Sequence, residues 1–148
     1  MPIHHYESDC NEIIPNLFLA NYRPSISANF MKHNNIKAVV NVSPDLPNRF
    51  HGINYYRIPV YNKSYHIPIF EKHLPKAINF IDYHLKRGEP VLVHCKSGHR
   101  RSVCVVAHYL MKRYGLKRRH ALQYIRNIRP TIFNPRWTVH FYESINKI

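Results

Sequence analysis

The stretch from Val91 to Ser102 combines a cysteine, a glycine and an arginine at a spacing suited to phosphate chemistry. Gly98 permits backbone conformations in which several N–H groups of residues 96–101 converge on one point, and a following helix would add its positive end. Such a nest fits an anion the size of phosphate. Because the local potential is positive, it would also favour the thiolate of Cys95 over the thiol. The spacing therefore predicts a cysteine nucleophile that faces a bound phosphoryl group.

Two residues at the end of this stretch could support such a nucleophile. Arg101 carries a planar, permanently charged guanidinium, which can bind two phosphoryl oxygens and follow their charge into the transition state. Ser102 can donate a hydrogen bond to the sulfur and help it leave a phosphocysteine intermediate. A Cys with an Arg six residues later also occurs by chance around ordinary buried cysteines. The prediction therefore depends on the elements that hold the pair.

The surrounding sequence predicts a strand, a loop and a helix at this place. Val91–Val93 is typical of a buried strand that runs into Cys95, and residues 101–114 are typical of an apolar helix. The other expected elements are two extended pieces around Pro15 in 13–19, a short helix at 25–33, strands at 37–42 and 55–60, a helix over 70–85 closed by Gly88, and helices at 117–128 and from Trp137 onward. This alternation predicts an α/β fold with a central, mostly parallel twisted sheet flanked by helices. Ligands of such sheets bind beyond the carboxyl ends of the strands, where Cys95 would lie.

Length and composition bound the class of protein. With 148 residues, of which 45% are hydrophobic, the chain is expected to form a single domain over 1–148 with a real core. No apolar run approaches the roughly 20 residues that span a bilayer, and residues 1–11 lack the pattern of a signal peptide. The three cysteines (Cys10, Cys95 and Cys104) show no paired spacing, so reduced thiols are expected. We therefore expect an intracellular, cytoplasmic protein without a membrane span.

The formal net charge of +14 is large for this length. It would concentrate phosphorylated proteins, RNA or another polyanion around the molecule, although by itself it identifies no partner and also fits simple solubility. Twelve histidines invite a metal site. His4 and His5 are adjacent, however, and no other pair stands beside a carboxylate as a ligand set would. We expect no metal and no other cofactor, and the sequence does not determine the oligomeric state.

The stretch around Cys95 resembles the signature of the protein tyrosine phosphatase superfamily, which is His-Cys, five residues, then Arg and Ser or Thr. Similarity to the dual-specificity phosphatases extends over nearly the whole chain, at residues 11–21, 36–43, 56–60, 107–111 and 129–132. The resemblance implies a phosphotyrosine phosphatase-like fold and a protein phosphatase that acts through phosphocysteine on phosphotyrosine and on phosphoserine or phosphothreonine. It implies His94, Cys95, Arg101 and Ser102 as catalytic residues, and Lys96, Ser97, Gly98, His99 and Arg100 as the loop that binds the substrate phosphate.

The chain departs from this family at one position that matters for catalysis. An Asp just past the Ile-Pro-Val strand usually protonates the leaving group, and here that position is Asn62, which cannot act as a general acid. No carboxylate lies between Asp45 and Glu71. His66, in the same loop, could transfer the proton instead, or it could be an ordinary solvent-facing histidine. We expect turnover to be slow.

Three alternatives remain open from the sequence. An RNA 5′-triphosphatase of the same superfamily would release a stable diphosphate and need no acid, but the loop lacks the Thr-His pair that those enzymes carry after Cys. A phosphoinositide phosphatase would fit the basic loop residues Lys96, His99 and Arg100. A non-catalytic phosphate-binding pseudophosphatase would fit Asn62, although it would not need Cys95 and Arg101.

Overall fold

Five short strands form one sheet in the order β1-β2-β5-β3-β4 in a computed structural model, which describes residues 9–132. The strands are β1 (Cys10–Ile14), β2 (Leu17–Ala20), β3 (Ala38–Asn41), β4 (Asn54–Arg57) and β5 (Val91–His94). β1 pairs with β2 in antiparallel fashion, and all other neighbours are parallel. This confirms the predicted central, mostly parallel sheet. β5 lies in its middle, with all four residues buried.

Within residues 9–132, five helices cover the two faces of the sheet. They are α1 (Tyr22–Ser25), α2 (Ala28–His33), α3 (Ile67–Lys86), α4 (Arg101–Tyr114) and α5 (Arg118–Ile128), with 3-10 turns at Ser64–His66 and Pro130–Ile132. Alternate strand residues point to opposite faces. In β5, Val91 and Val93 belong to the large core beneath α3, α4 and α5, whereas Leu92 belongs to a smaller core with Phe30 of α2.

Some element boundaries differ from the sequence prediction. The strand expected to reach Val60 ends at Arg57, and Pro59, which has no N–H, cannot donate to a ladder. The helix expected from Phe70 begins at Ile67, because Pro68 falls in its first turn, where a missing N–H costs nothing. Gly88 follows the end of α3 with a φ of +73°, as predicted.

The stretch 25–33, expected to form one helix, is divided between α1 and α2. Ser27 caps the second of these, because its Oγ accepts a hydrogen bond from Phe30 N at 3.1 Å. The helix expected from Trp137 lies outside the described residues. Within residues 9–132, no helix is long and apolar enough to cross a membrane.

The fold brings the ends of two neighbouring parallel strands together at one edge of the sheet. Val42, just past β3, donates its backbone N–H to the carbonyl of His94 at 2.8 Å. The chain leaves β5 at that point, turns through residues 95–100 and enters α4 at Arg101. Cys95 therefore lies between the carboxyl edge of the sheet and the amino end of a helix.

Candidate active site

The thiol of Cys95 is held by the loop that follows it. Gly98 N donates to Sγ at 3.3 Å, and Ser102 Oγ lies 3.1 Å from the same sulfur. The residue is only 1% exposed. These contacts place one backbone N–H and one hydroxyl group against the sulfur at the amino end of α4.

The surroundings of Cys95 favour its ionised form. Burial is the largest influence and raises the pKa of the thiol, but the charge of Arg101 and the hydrogen bonds from Ser102 and Gly98 together outweigh it, so the pKa lies below its ordinary value. At Cys104 on α4 the outcome is the opposite, because burial and then the charge of Cys95 raise the pKa of this thiol well above its ordinary value. Of these two buried thiols, only Cys95 is in an environment that activates a nucleophile.

Arg101 is fixed in place before any substrate arrives. Its Nη1 donates to the carbonyl of Val60 at 2.7 Å, and the side chain is 8% exposed. Because α4 begins at this residue, its guanidinium stands next to the loop that holds Cys95. A preorganised arginine of this kind can meet two phosphoryl oxygens without first ordering its own side chain.

The loop after Cys95 is also held by a contact between Gly98 and Arg129, which the sequence did not indicate. Arg129 is buried just past α5; its Nε donates to the carbonyl of Gly98 at 3.0 Å, and its Nη1 donates to Asn11 Oδ1 at 2.9 Å. Gly98 has a φ of +73°. Arg129 thus ties together the loop, 31 residues before it in sequence, and β1, 118 residues before it. The only sequence signal was the family-like segment 129–132, which predicted no such contact.

The other loop residues predicted to bind phosphate surround this centre. Lys96 is exposed, Ser97 Oγ accepts a hydrogen bond from His99 N at 3.3 Å, and the carbonyl of Arg100 accepts from Cys104 N at 3.1 Å. Burial lowers the pKa of both His99 and Arg100. Of these residues, Arg100 is a partly buried cation close enough to interact with Cys95, whereas the lowered pKa of His99 favours its neutral ring.

His94 is buried completely beneath the loop. Its Nδ1 lies 3.3 Å from the carbonyl oxygen of Cys95, which makes Nδ1 the donor, and burial lowers its pKa to about 4. At neutral pH the ring is uncharged. In this geometry the ring of His94 contacts the backbone of Cys95.

The structure brings Asn62 and His66 into one loop but gives them different surroundings. Both amide atoms of Asn62 are buried, and neither has a hydrogen-bond partner among residues 9–132. His66 Nδ1 accepts a hydrogen bond from Tyr61 N at 2.7 Å, and its ring stacks on that of Tyr61. This ties His66 to the fold of its own loop. The Tyr61 hydroxyl in turn donates to Asp45 Oδ2 at 3.1 Å, from the loop after β3.

Comparison with known proteins gives a consistent result. Residues 17–146 match the family described as dual specificity phosphatase, catalytic domain. Dual specificity protein phosphatase Mpk3 of Drosophila melanogaster is 38% identical over 138 residues, which are 90% of this chain and 32% of that protein. Human dual specificity protein phosphatase 9 is 33% identical over 124 residues, 82% of this chain and 32% of that protein.

A solved structure agrees with these sequence relatives. The crystal structure of human DUSP28 has a TM-score of 0.83 and 26% identity, with 93% of this chain and 90% of that chain covered. The chain belongs to the family of dual-specificity phosphatase catalytic domains. It spans about a third of the length of the curated relatives it matches.

Proposed function

We propose that this protein is a phosphomonoester hydrolase, a dual-specificity protein phosphatase in which Cys95 is the nucleophile and residues 1–148 are one catalytic domain. The observation that carries the proposal is the environment of Sγ, with donors from Gly98 and Ser102 and a lowered thiol pKa beside Arg101. The relatives are named dual specificity protein phosphatases, which supports phosphorylated proteins as substrates. We propose phosphotyrosine and phosphoserine or phosphothreonine as the residues that this protein dephosphorylates. The names of the relatives favour neither RNA 5′-triphosphate nor phosphoinositide as the substrate. The free thiols at Cys10, Cys95 and Cys104 support an intracellular, cytoplasmic location.

The proposed reaction has two displacements at phosphorus. The Cys95 thiolate attacks the phosphoryl group, an S–P bond forms, and the bond to the leaving oxygen breaks while Arg101 and the loop N–H groups bind the charge on the equatorial oxygens. Water then attacks the phosphocysteine, the S–P bond breaks, and inorganic phosphate leaves. Ser102 donates to the departing sulfur, which restores the thiolate.

This mechanism lacks a carboxylic acid that could protonate the leaving group. Asn62 has no ionisable proton to transfer to a leaving oxygen. Positioned acids typically contribute about a hundredfold to ten-thousandfold, so we expect slow turnover of substrates whose leaving group needs a proton.

The proposal is tested by phosphate release from a panel of phosphotyrosine peptide, phosphoserine peptide, phosphoinositide and triphosphorylated RNA. Cys95→Ser should abolish release while unfolding stays cooperative, and Cys10→Ser, a control on β1, should remain active. Vanadate, an analogue of the phosphoryl transition state, should inhibit. Substantial activity in Cys95→Ser would rule out the mechanism, and activity confined to RNA would overturn the assignment of protein substrates.

A further inference from the structure

The positive charge of this protein is concentrated in its C-terminal part. Between Glu89 and Glu143 the sequence contains no Asp or Glu at all. Five cations of this region lie in the last turn of α4, the short connection and the first turn of α5, namely Lys112, Arg113, Lys117, Arg118 and Arg119. We call these five residues the basic surface. All are exposed except Arg118, which is partly buried.

Nearby acidic groups leave most of this charge uncompensated. In the described part of the chain, the ion pairs involve other cations, and none includes a residue of the basic surface. Asp82 of α3, which interacts electrostatically with Arg113, contacts Lys86 Nζ at 2.8 Å and accepts a hydrogen bond from the Tyr109 hydroxyl at 2.9 Å. Arg113 reaches Asp82 only through Tyr109, to whose hydroxyl it donates at 2.8 Å.

A cleft adjoins the basic surface. It has a volume of about 330 Å³ and lies between α3 and α4. The buried Ile78 and Tyr109 contribute to its lining, together with Asn79 and the cations Lys86, Lys112 and Arg113. Asp82 also lines the cleft, where its carboxylate pairs with Lys86. The cleft therefore combines room for an apolar side chain with positive charge at its edge.

This combination fits an acidic polypeptide better than a membrane or a nucleic acid. A lipid headgroup surface is flat and would not use a cleft with an apolar lining. Single-stranded RNA needs free aromatic faces for stacking, whereas the ring of Tyr114, half exposed beside the basic surface, is already approached by the Arg113 guanidinium at 5.3 Å. A peptide with acidic residues around one apolar residue would match both the charge and the cleft.

We propose that the basic surface and the adjoining cleft dock an acidic segment of the phosphorylated protein substrate, with one apolar side chain of that segment in the cleft. The proposal rests on the function proposed above. Helix α4 begins beside Cys95 and ends at the basic surface, and its 14 residues separate the two by about 20 Å. Docking at that distance raises the local concentration of the phosphorylated residue at Cys95, so it lowers KM and leaves kcat unchanged.

The test compares two phosphotyrosine peptides that share the phosphorylated segment. One carries, on a flexible linker, an extension of glutamates around a single phenylalanine, and the other carries an uncharged extension of equal length. We expect the unmodified protein to show about a tenfold lower KM for the acidic peptide at low ionic strength. The difference should vanish in about 0.5 M salt, where the screening length falls to a few ångströms.

Charge reversal separates this surface from the net charge of the protein. Lys112→Glu combined with Arg119→Glu should bring the two KM values together. Lys32→Glu combined with Lys37→Glu, at two exposed positions outside the basic surface, changes the net charge equally and should preserve the difference. Both variants should keep the unmodified kcat/KM for p-nitrophenyl phosphate, which is too small to reach the basic surface.

Two kinetic results would overturn the docking proposal. The first is equal KM values for the two peptides in the unmodified protein. The second is an equal loss of preference for the acidic peptide in both double variants, because it would indicate steering by net charge. Anisotropy of the labelled acidic extension alone should show binding that Lys112→Glu with Arg119→Glu removes. If anionic vesicles or oligo-RNA displace that extension and bind more tightly than it does, the basic surface belongs to that class of partner and the docking proposal is wrong. If no substrate releases phosphate, the proposed function fails, while the anisotropy measurement still decides the docking.

Discussion

Gly98 is the residue at which the geometry of the phosphate loop can be tested most directly. Its φ of +73° is unfavourable for any residue with a Cβ, and a Cβ added there would lie 2.7 Å from three atoms: Ala20 C, Asn21 N and Arg129 Nη2. Two of these are backbone atoms at the end of β2 and cannot move aside as a flexible side chain can. Gly98→Ala therefore combines backbone strain with a clash.

The expected loss of folding stability in Gly98→Ala is the sum of the backbone strain and the clash. The left-handed conformation costs a residue with a Cβ about 1–2 kcal/mol, and forcing a methyl group into a packed site costs about 1–3 kcal/mol. Gly98→Ala should therefore lower the free energy of unfolding by roughly 2–5 kcal/mol. Gly88 and Gly115 are matched controls, because their φ values are +73° and +67° and no described atom lies within 4 Å of the added Cβ. Gly88→Ala and Gly115→Ala should each show the backbone strain without the clash.

Urea unfolding of the three Gly→Ala variants measures this difference, and phosphate release measures its consequence for the site. Displacement of Gly98 would remove both its N–H from the sulfur and its carbonyl from Arg129, so activity should fall more than the loss of folded protein explains. The reasoning is refuted if Gly98→Ala is as stable as Gly88→Ala, within about 0.5 kcal/mol, the margin of ordinary surface substitutions.

Two further predictions concern protons at the site. Ser102→Ala removes a hydrogen bond that stabilises the thiolate, so the pKa of Cys95 should rise. The ascending limb of the plot of kcat/KM against pH should therefore move to higher pH. An unchanged limb would mean that Ser102 does not act on the sulfur. Asn62→Asp should raise the rate for phosphoserine peptide about tenfold or more, and less for p-nitrophenyl phosphate, and should add a descending limb as the new acid ionises. Equal effects on both substrates would show that Asn62 does not stand at the position of the acid.

The sequence predicted those parts of the site that follow from local spacing. Cys95, Gly98, Arg101 and Ser102 lie within eight residues, and one strand, one turn and one helix start are enough to bring them together. The strand runs and helical spacings also predicted the mostly parallel sheet, because burial on both faces leaves a direct signal in composition.

Contacts between distant segments could not be predicted in this way. Arg129 reaches Gly98 across 31 residues, and Arg101 reaches the carbonyl of Val60 across 41. Such contacts depend on how whole elements pack, and an arginine near the end of a helix looks the same in sequence whether it is buried or solvated. The hydrogen bond from Tyr61 N to His66 likewise depends on the folded shape of one loop, which apolar periodicity does not encode.

In the proposed mechanism, the binding of a phosphoryl group and the delivery of a proton depend on different residues. Arg101 and the donors around Cys95 are all in place, whereas Asn62 offers only an amide without a partner among the described residues. A docking surface about 20 Å away cannot replace the missing acid, because contacts that are equal in the ground state and the transition state lower KM without raising kcat. Such docking would still matter for a slow enzyme, since at low substrate concentration the rate depends on kcat/KM. An acidic docking segment and a slow chemical step would together restrict efficient turnover to substrates that the basic surface holds in place.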